Sequence, residues 1–157
     1  MTAQDLLTKA KAQGAMIATA ESCTGGLIAG AITDVPGSSA IFDRGFVTYS
    51  NAAKTEMLGV PAEMIVTYGA VSEQVAAAMA AGALARSEAT IAVAVTGIAG
   101  PGGTDTKPEG MVCFGLATSQ ATLTETHHFG AIGRTAVRQA TVKHAMSLCL
   151  KALADNR

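Results

Sequence analysis

Tryptophan is absent from this sequence of 157 residues, and aromatic residues make up only 4% of it. Charge of either sign is scarce and balanced, eleven basic against twelve acidic side chains for a formal net charge of -1, with no basic stripe. A chain that neutralises a phosphate backbone or stacks single-stranded bases needs what is missing here, so nucleic acid is excluded as a partner. The three cysteines, Cys23, Cys113 and Cys149, are odd in number and far apart, and they form neither a CxxC pair nor a His/Cys spacing suited to zinc. A disulfide framework and a zinc knuckle are therefore not expected, and a reduced, cytoplasmic protein is. No apolar run approaches the length needed to span a bilayer, and the opening MTAQDLLTKAKAQG is too poor in apolar residues for a signal peptide.

What is present is small and aliphatic. Hydrophobic residues make up 49%, mostly Ala, Val, Ile, Leu and Met, which suits close packing of helices on a sheet. No linker, repeat or low-complexity tract divides the chain, so residues 1–157 are expected to form a single domain. Seventeen glycines against four prolines cluster in two short runs, where backbone must approach something closely.

Periodicity gives the order of elements. Thr2 caps a first helix to about Gln13, which Gly14 stops, and AMIATA reads as a short buried strand. Residues 23 to 34 return to helical spacing, RGFVTYS alternates as a strand, and NAAKTEMLG reads as a helix with a capping Asn51. Ser72 opens an Ala-rich helix to about Ser87, and ATIAVAVT is a continuous apolar run, as in a strand covered on both faces. MVCFGLATS and TLTETHHF read as an antiparallel hairpin, and a last helix runs from Arg134 nearly to the end. Alternation early and a hairpin late predict an α/β fold, a three-layer α/β/α sandwich with a mixed sheet.

Three stretches bear chemistry. In ATAESCTGG, a strand ending at Ala20 and a helix starting near Cys23 place Ser22 at a strand-to-helix turn, where unpaired amides and the helix dipole favour an oxyanion. Gly25 and Gly26 let a ligand reach that backbone, with Thr24 beside them; an isolated serine there is more often only a helix cap. Serine needs a base, and the histidines do not supply an obvious one, since His127 and His128 are neighbours on a strand and point to opposite faces while His144 lies in the last helix. The alternative base is Lys54 in VTYSNAAK, with Tyr49 to orient it or relay a proton and Asn51 to donate to a ligand, although a lysine one turn into a helix is ordinarily solvated. Cys23 is the rival nucleophile, because a thiol at a helix N-terminus is easily ionised.

The second run, TGIAGPGG, follows the most apolar strand, where Gly97, Gly100, Gly102 and Gly103 expose amides to a phosphate or carbonyl; it fits neither a Walker nor a Rossmann pattern. Arg134 and Arg138 share a face at the start of the last helix, unfavourable for the dipole without a compensating anion, which makes them candidate phosphate ligands, with a solvated or ion-paired face as the alternative.

In ATAESCTGG, VTYSNAAK, YGAVSEQVAAAMAAGA, TGIAGPGG, KPEGMV and the arginine-led last helix, taken in order over nearly the full length, the chain resembles the nicotinamide mononucleotide amidohydrolase family, the CinA C-terminal domain. It departs from many relatives at Thr104, which cuts the second glycine run short. The resemblance implies a stand-alone cytoplasmic amidase that converts nicotinamide mononucleotide to nicotinic acid mononucleotide and ammonia, without metal or cofactor. Ser22 is then the nucleophile, Lys54 its activating base and Tyr49 a close neighbour. Family resemblance and the Ala-rich helix together favour a homo-oligomer.

Overall fold

The computed structural model describes residues 3–155. Five strands form one mixed sheet in the order β2-β1-β3-β4-β5. The strands are β1 (Ile17–Glu21), β2 (Phe42–Val47), β3 (Ile91–Gly97), β4 (Met111–Thr118) and β5 (Thr122–His128). The first three run parallel, and β4 and β5 add an antiparallel hairpin on the β3 side.

Alternation along the strands gives the sheet two unlike faces. Ile17, Val93, Val95, Phe114 and Leu116 present large side chains to α1 (Ala3–Gln13), α2 (Leu27–Thr33) and α6 (Arg134–Asp155). The other face is lined by Ala18, Ala20, Ala92, Ala94 and Ala117, against α3 (Asn51–Leu58), α4 (Ala62–Tyr68) and α5 (Glu73–Ala85). The expected α/β/α sandwich is the one observed. On the small face α5 sits so close that a methyl added at Gly115 would collide with the Ala76 carbonyl, and one at Gly82 with that of Leu58. The aliphatic composition is what permits this approach.

Several boundaries move. The cap expected at Thr2 lies outside the described residues. The helix expected from Cys23 begins at Leu27, because Gly25 and Gly26 take left-handed φ values of 57° and 105° and hold residues 22–26 in turns. Ser50, not Asn51, caps α3, its hydroxyl accepting the Ala53 amide. Helix α5 starts at Ser72 as expected, and the Ser72 hydroxyl caps it, accepting from Val75. Helix α4 has no counterpart in the sequence reading, since its seven residues are too few to show a period.

Both glycine runs, at residues 25–26 and 97–103, follow the carboxyl ends of neighbouring parallel strands, β1 and β3. This is where open α/β sheets bind ligands.

Candidate active site

The turn after β1 is held from below by Glu21. Its carboxylate is buried, and it accepts the Thr24 hydroxyl at 2.6 Å, the Ile28 amide at 2.8 Å and the Ala29 amide at 3.0 Å. A buried anion at a helix N-terminus satisfies the free amides and complements the dipole. The first-turn amides expected to face a ligand are thus occupied from inside the protein. Thr24 itself is fully buried, and the Gly25 amide donates to the Ser22 carbonyl. Sequence reasoning assigned Glu21 no role; the available signal was a carboxylate at the end of an otherwise apolar strand.

Ser22 is tied to the neighbouring strand by its amide, which donates to the Val95 carbonyl at 3.1 Å. Its hydroxyl stands 3.1 Å from the Lys54 amine. Lys54 is only 1% exposed, and the same amine donates to the carbonyls of Thr48 at 3.1 Å and Tyr49 at 3.3 Å. None of these partners carries a negative charge, so burial depresses the Lys54 pKa below its ordinary 10.5, opposed by a smaller effect of Cys23. The two carbonyls can only accept. A neutral amine that gives them its two N–H bonds therefore turns its lone pair toward Ser22, which is the arrangement of a base aimed at a hydroxyl.

Burial acts on the neighbouring thiol in the opposite sense. Cys23 is buried, and desolvation, with a smaller push from Glu21, raises its pKa to about 11, outweighing its own amide, Arg138 and Lys54, which lower it. The thiol is protonated at neutral pH.

A cavity of about 360 Å³ opens above this pair, bringing together Ser22, Lys54, Tyr49, Asn51, Gly97, Gly100, Gly102 and Arg134. Tyr49 supports Lys54 through its carbonyl, whereas its exposed phenol accepts from Arg134 at 3.2 Å. Arg134 also donates to the Gly100 carbonyl at 2.6 Å. Thr24, Gly25, Gly26, Gly103 and Arg138 do not line the cavity. Arg138 lies under the turn instead, donating to the carbonyls of Cys23 and Thr24 at 3.2 Å each. The two arginines are thus compensated by carbonyls, one at the cavity and one beneath it.

The second glycine loop is internally braced. Gly110 donates to the Ile98 carbonyl, Thr104 to that of Lys107, and the Gly102 amide to the Glu109 carboxylate. The Lys107 amine reaches the carbonyls of Tyr68 and Val71, fixing the loop to the segment before α5. Gly103 packs against the backbone of Lys107–Glu109, and its lack of a side chain is what admits that backbone. Among the described residues, no helix is long and apolar enough to cross a membrane.

Known proteins share this architecture. A crystal structure of a competence/damage-inducible protein from Agrobacterium tumefaciens superposes with a TM-score of 0.93 at 53% identity, covering 97% of this chain and 93% of that one. A competence damage-inducible protein A from Klebsiella pneumoniae gives 0.93 at 36% identity, with full coverage of both chains. Among curated relatives, nicotinamide-nucleotide amidohydrolase PncC of Escherichia coli K12 is 51% identical over 138 residues, 87% of this chain and 83% of its own length. A CinA-like protein of Chlorobium phaeobacteroides is 62% identical over 121 residues, 74% of this chain; the chain spans only 29% of that relative's length. The model of the CinA C-terminal domain matches residues 1–153, and the chain belongs to that family.

Proposed function

We propose that the chain hydrolyses the carboxamide of nicotinamide mononucleotide to nicotinic acid mononucleotide and ammonia, with Ser22 as nucleophile and Lys54 as its base. The observation that carries this reading is the buried Lys54 amine 3.1 Å from the Ser22 hydroxyl, with two carbonyls as its only other partners among the described residues. The names of the relatives, nicotinamide-nucleotide amidohydrolases at 51% and 52% identity, support the substrate.

Lys54 takes the Ser22 proton as Oγ bonds to the carboxamide carbon, giving a tetrahedral adduct. Cys23 lines the cavity beside the nucleophile, and its amide, which otherwise meets its own thiol, is the donor assigned to the developing oxyanion. One such donor lowers the barrier by about 3 kcal/mol. Lys54 returns its proton to the departing nitrogen as the C–N bond breaks, releasing ammonia and leaving an ester on Ser22. Water then attacks the ester, Lys54 accepts its proton, and cleavage of the ester C–O bond with return of that proton to Oγ releases the acid.

The nucleotide phosphate is assigned to Arg134, which lines the cavity, rather than to Arg138, which does not. The test is ammonia release from nicotinamide mononucleotide by the purified chain beside Ser22→Ala and Cys23→Ala. Release by the wild type and Cys23→Ala, with loss in Ser22→Ala, is the expected result. Saturable nucleotide binding without ammonia overturns the catalytic reading, and loss in Cys23→Ala alone overturns the assigned nucleophile.

A further inference from the structure

On the large-residue face, β5 and α6 bring together three groups that the amidase chemistry does not use. The Glu125 Oε1 atom lies 2.7 Å from His127 Nε2 and 2.8 Å from His144 Nε2. The ligand-capable atoms of all three residues lie within 4.8 Å of one another. We propose that Glu125, His127 and His144 form a binding site for a divalent transition metal of the zinc type, which ties edge strand β5 to α6.

The donor set decides the class of ion. Two imidazole nitrogens and one carboxylate oxygen suit zinc, nickel or cobalt, whereas magnesium and calcium require oxygen ligands throughout. Ligands at tetrahedral zinc stand about 3.3 Å apart for metal–ligand bonds near 2.0 Å, so each Glu125–imidazole pair needs to open by about half an ångström, within a spread of at most 4.8 Å among the three atoms. Without the ion, both Nε2 atoms face one acceptor-only oxygen and each carries a proton toward it. With the ion, each imidazole holds its proton on Nδ1 and turns the Nε2 lone pair inward. The metal thus replaces two hydrogen bonds with three bonds.

The rings are already fixed. Phe114 meets His144 edge-on at 4.7 Å and His127 at 5.5 Å, and Phe129 stacks on His127 at 5.9 Å. Such packing lowers the ordering cost of binding. The three side chains are each a quarter to two fifths exposed, so an ion has a route in, and Glu125 also lines a cavity of about 390 Å³ beside the β4–β5 hairpin.

Register separates this place from the serine. Glu21, Val95, Phe114 and Glu125 form one row across the sheet. Three strand spacings, roughly 14 Å, lie between its ends. The ion would act on α6 rather than on the substrate.

The test is calorimetric titration of the full chain, stripped with a chelator, with Zn2+, and with Mg2+ as a control. One Zn2+ per chain with no Mg2+ heat is expected, with affinity weakened more than about 100-fold in His127→Ala and in His144→Ala and unchanged in His128→Ala. Glu125→Gln, which keeps the side-chain shape, is the variant for a chain that does not tolerate loss of an imidazole, and it also weakens binding. Substitution by Co2+ should give visible bands of nitrogen and oxygen coordination. No saturable Zn2+ binding, equal binding after loss of both imidazoles, or thiolate-to-cobalt bands from the cysteines would each overturn the site.

Discussion

The Glu21 carboxylate accepts the Ile28 amide at 2.8 Å, seven residues along the chain, and so anchors the turn that carries Ser22 from inside the protein. Glu21 and Ser22 are neighbours with opposite assignments. One side chain turns inward to hold the helix, and the other meets Lys54 at the cavity. Glu21→Gln places an amide NH2 against backbone donors that need an acceptor. It is expected to lower stability by about 2 to 3 kcal/mol in urea unfolding, and an unchanged midpoint would show that the carboxylate is not what holds the turn.

Lys54 is buried with no carboxylate partner among the described residues, so the folded state disfavours its charge. Lys54→Met keeps the apolar stem and removes the amine. Turnover should fall about a thousandfold or more, while stability at neutral pH should hold or rise. The sign with pH follows from the depressed pKa. Between the folded value and the ordinary 10.5, the unfolded chain binds the extra proton, so wild-type stability rises with pH through that window relative to Lys54→Met. Unfolding midpoints of both proteins from pH 7 to 10.5 measure this, and parallel curves would contradict it.

Gly115 faces α5 where the Ala76 carbonyl leaves no space for a methyl group. Gly115→Ala should cost about 2 kcal/mol of stability, with the KM of the surviving activity unchanged because the residue lies in the middle of β4, away from the cavity. Chemical denaturation followed by steady-state kinetics checks both halves.

Residue patterns went furthest where local chemistry decides structure. The start of the Ala-rich helix at Ser72, the run at β3 and the late hairpin are set by nearest neighbours and alternation, and all three are observed. Helix α2 starts later than its spacing suggests, because helical spacing from Cys23 says nothing of two left-handed glycines that delay the helix to Leu27. Lys54 could be named beside Ser22, but its burial and its carbonyl partners depend on β2 and α3 packing beside β1. Arg138 and Glu21 act on the turn from opposite sides, over separations of 114 and 7 residues, and spacing along the chain does not register the first. Strand alternation puts His127 and His128 on opposite faces, yet the meeting of His127 with His144 is made only by the docking of α6 on β5.

Arg134 and Arg138, one helical turn apart, should separate into different kinetic effects. Arg134 donates to Gly100 and Tyr49 at the cavity wall, where a substrate phosphate can share it. Its loss removes a charge-assisted contact made in ground and transition states alike, so Arg134→Ala should raise KM about tenfold or more with little change in kcat. Arg138 does not line the cavity, but it holds the carbonyls of Cys23 and Thr24 and with them the turn that carries Ser22. A nucleophile displaced by an ångström loses rate rather than binding, so Arg138→Ala should lower kcat about 10- to 100-fold at nearly constant KM. Because two parallel contacts to carbonyls need the guanidinium fork, Arg138→Lys should recover little of that loss. Steady-state kinetics of the three variants decides the matter: a KM effect at Arg138 and a kcat effect at Arg134 would exchange their assigned roles.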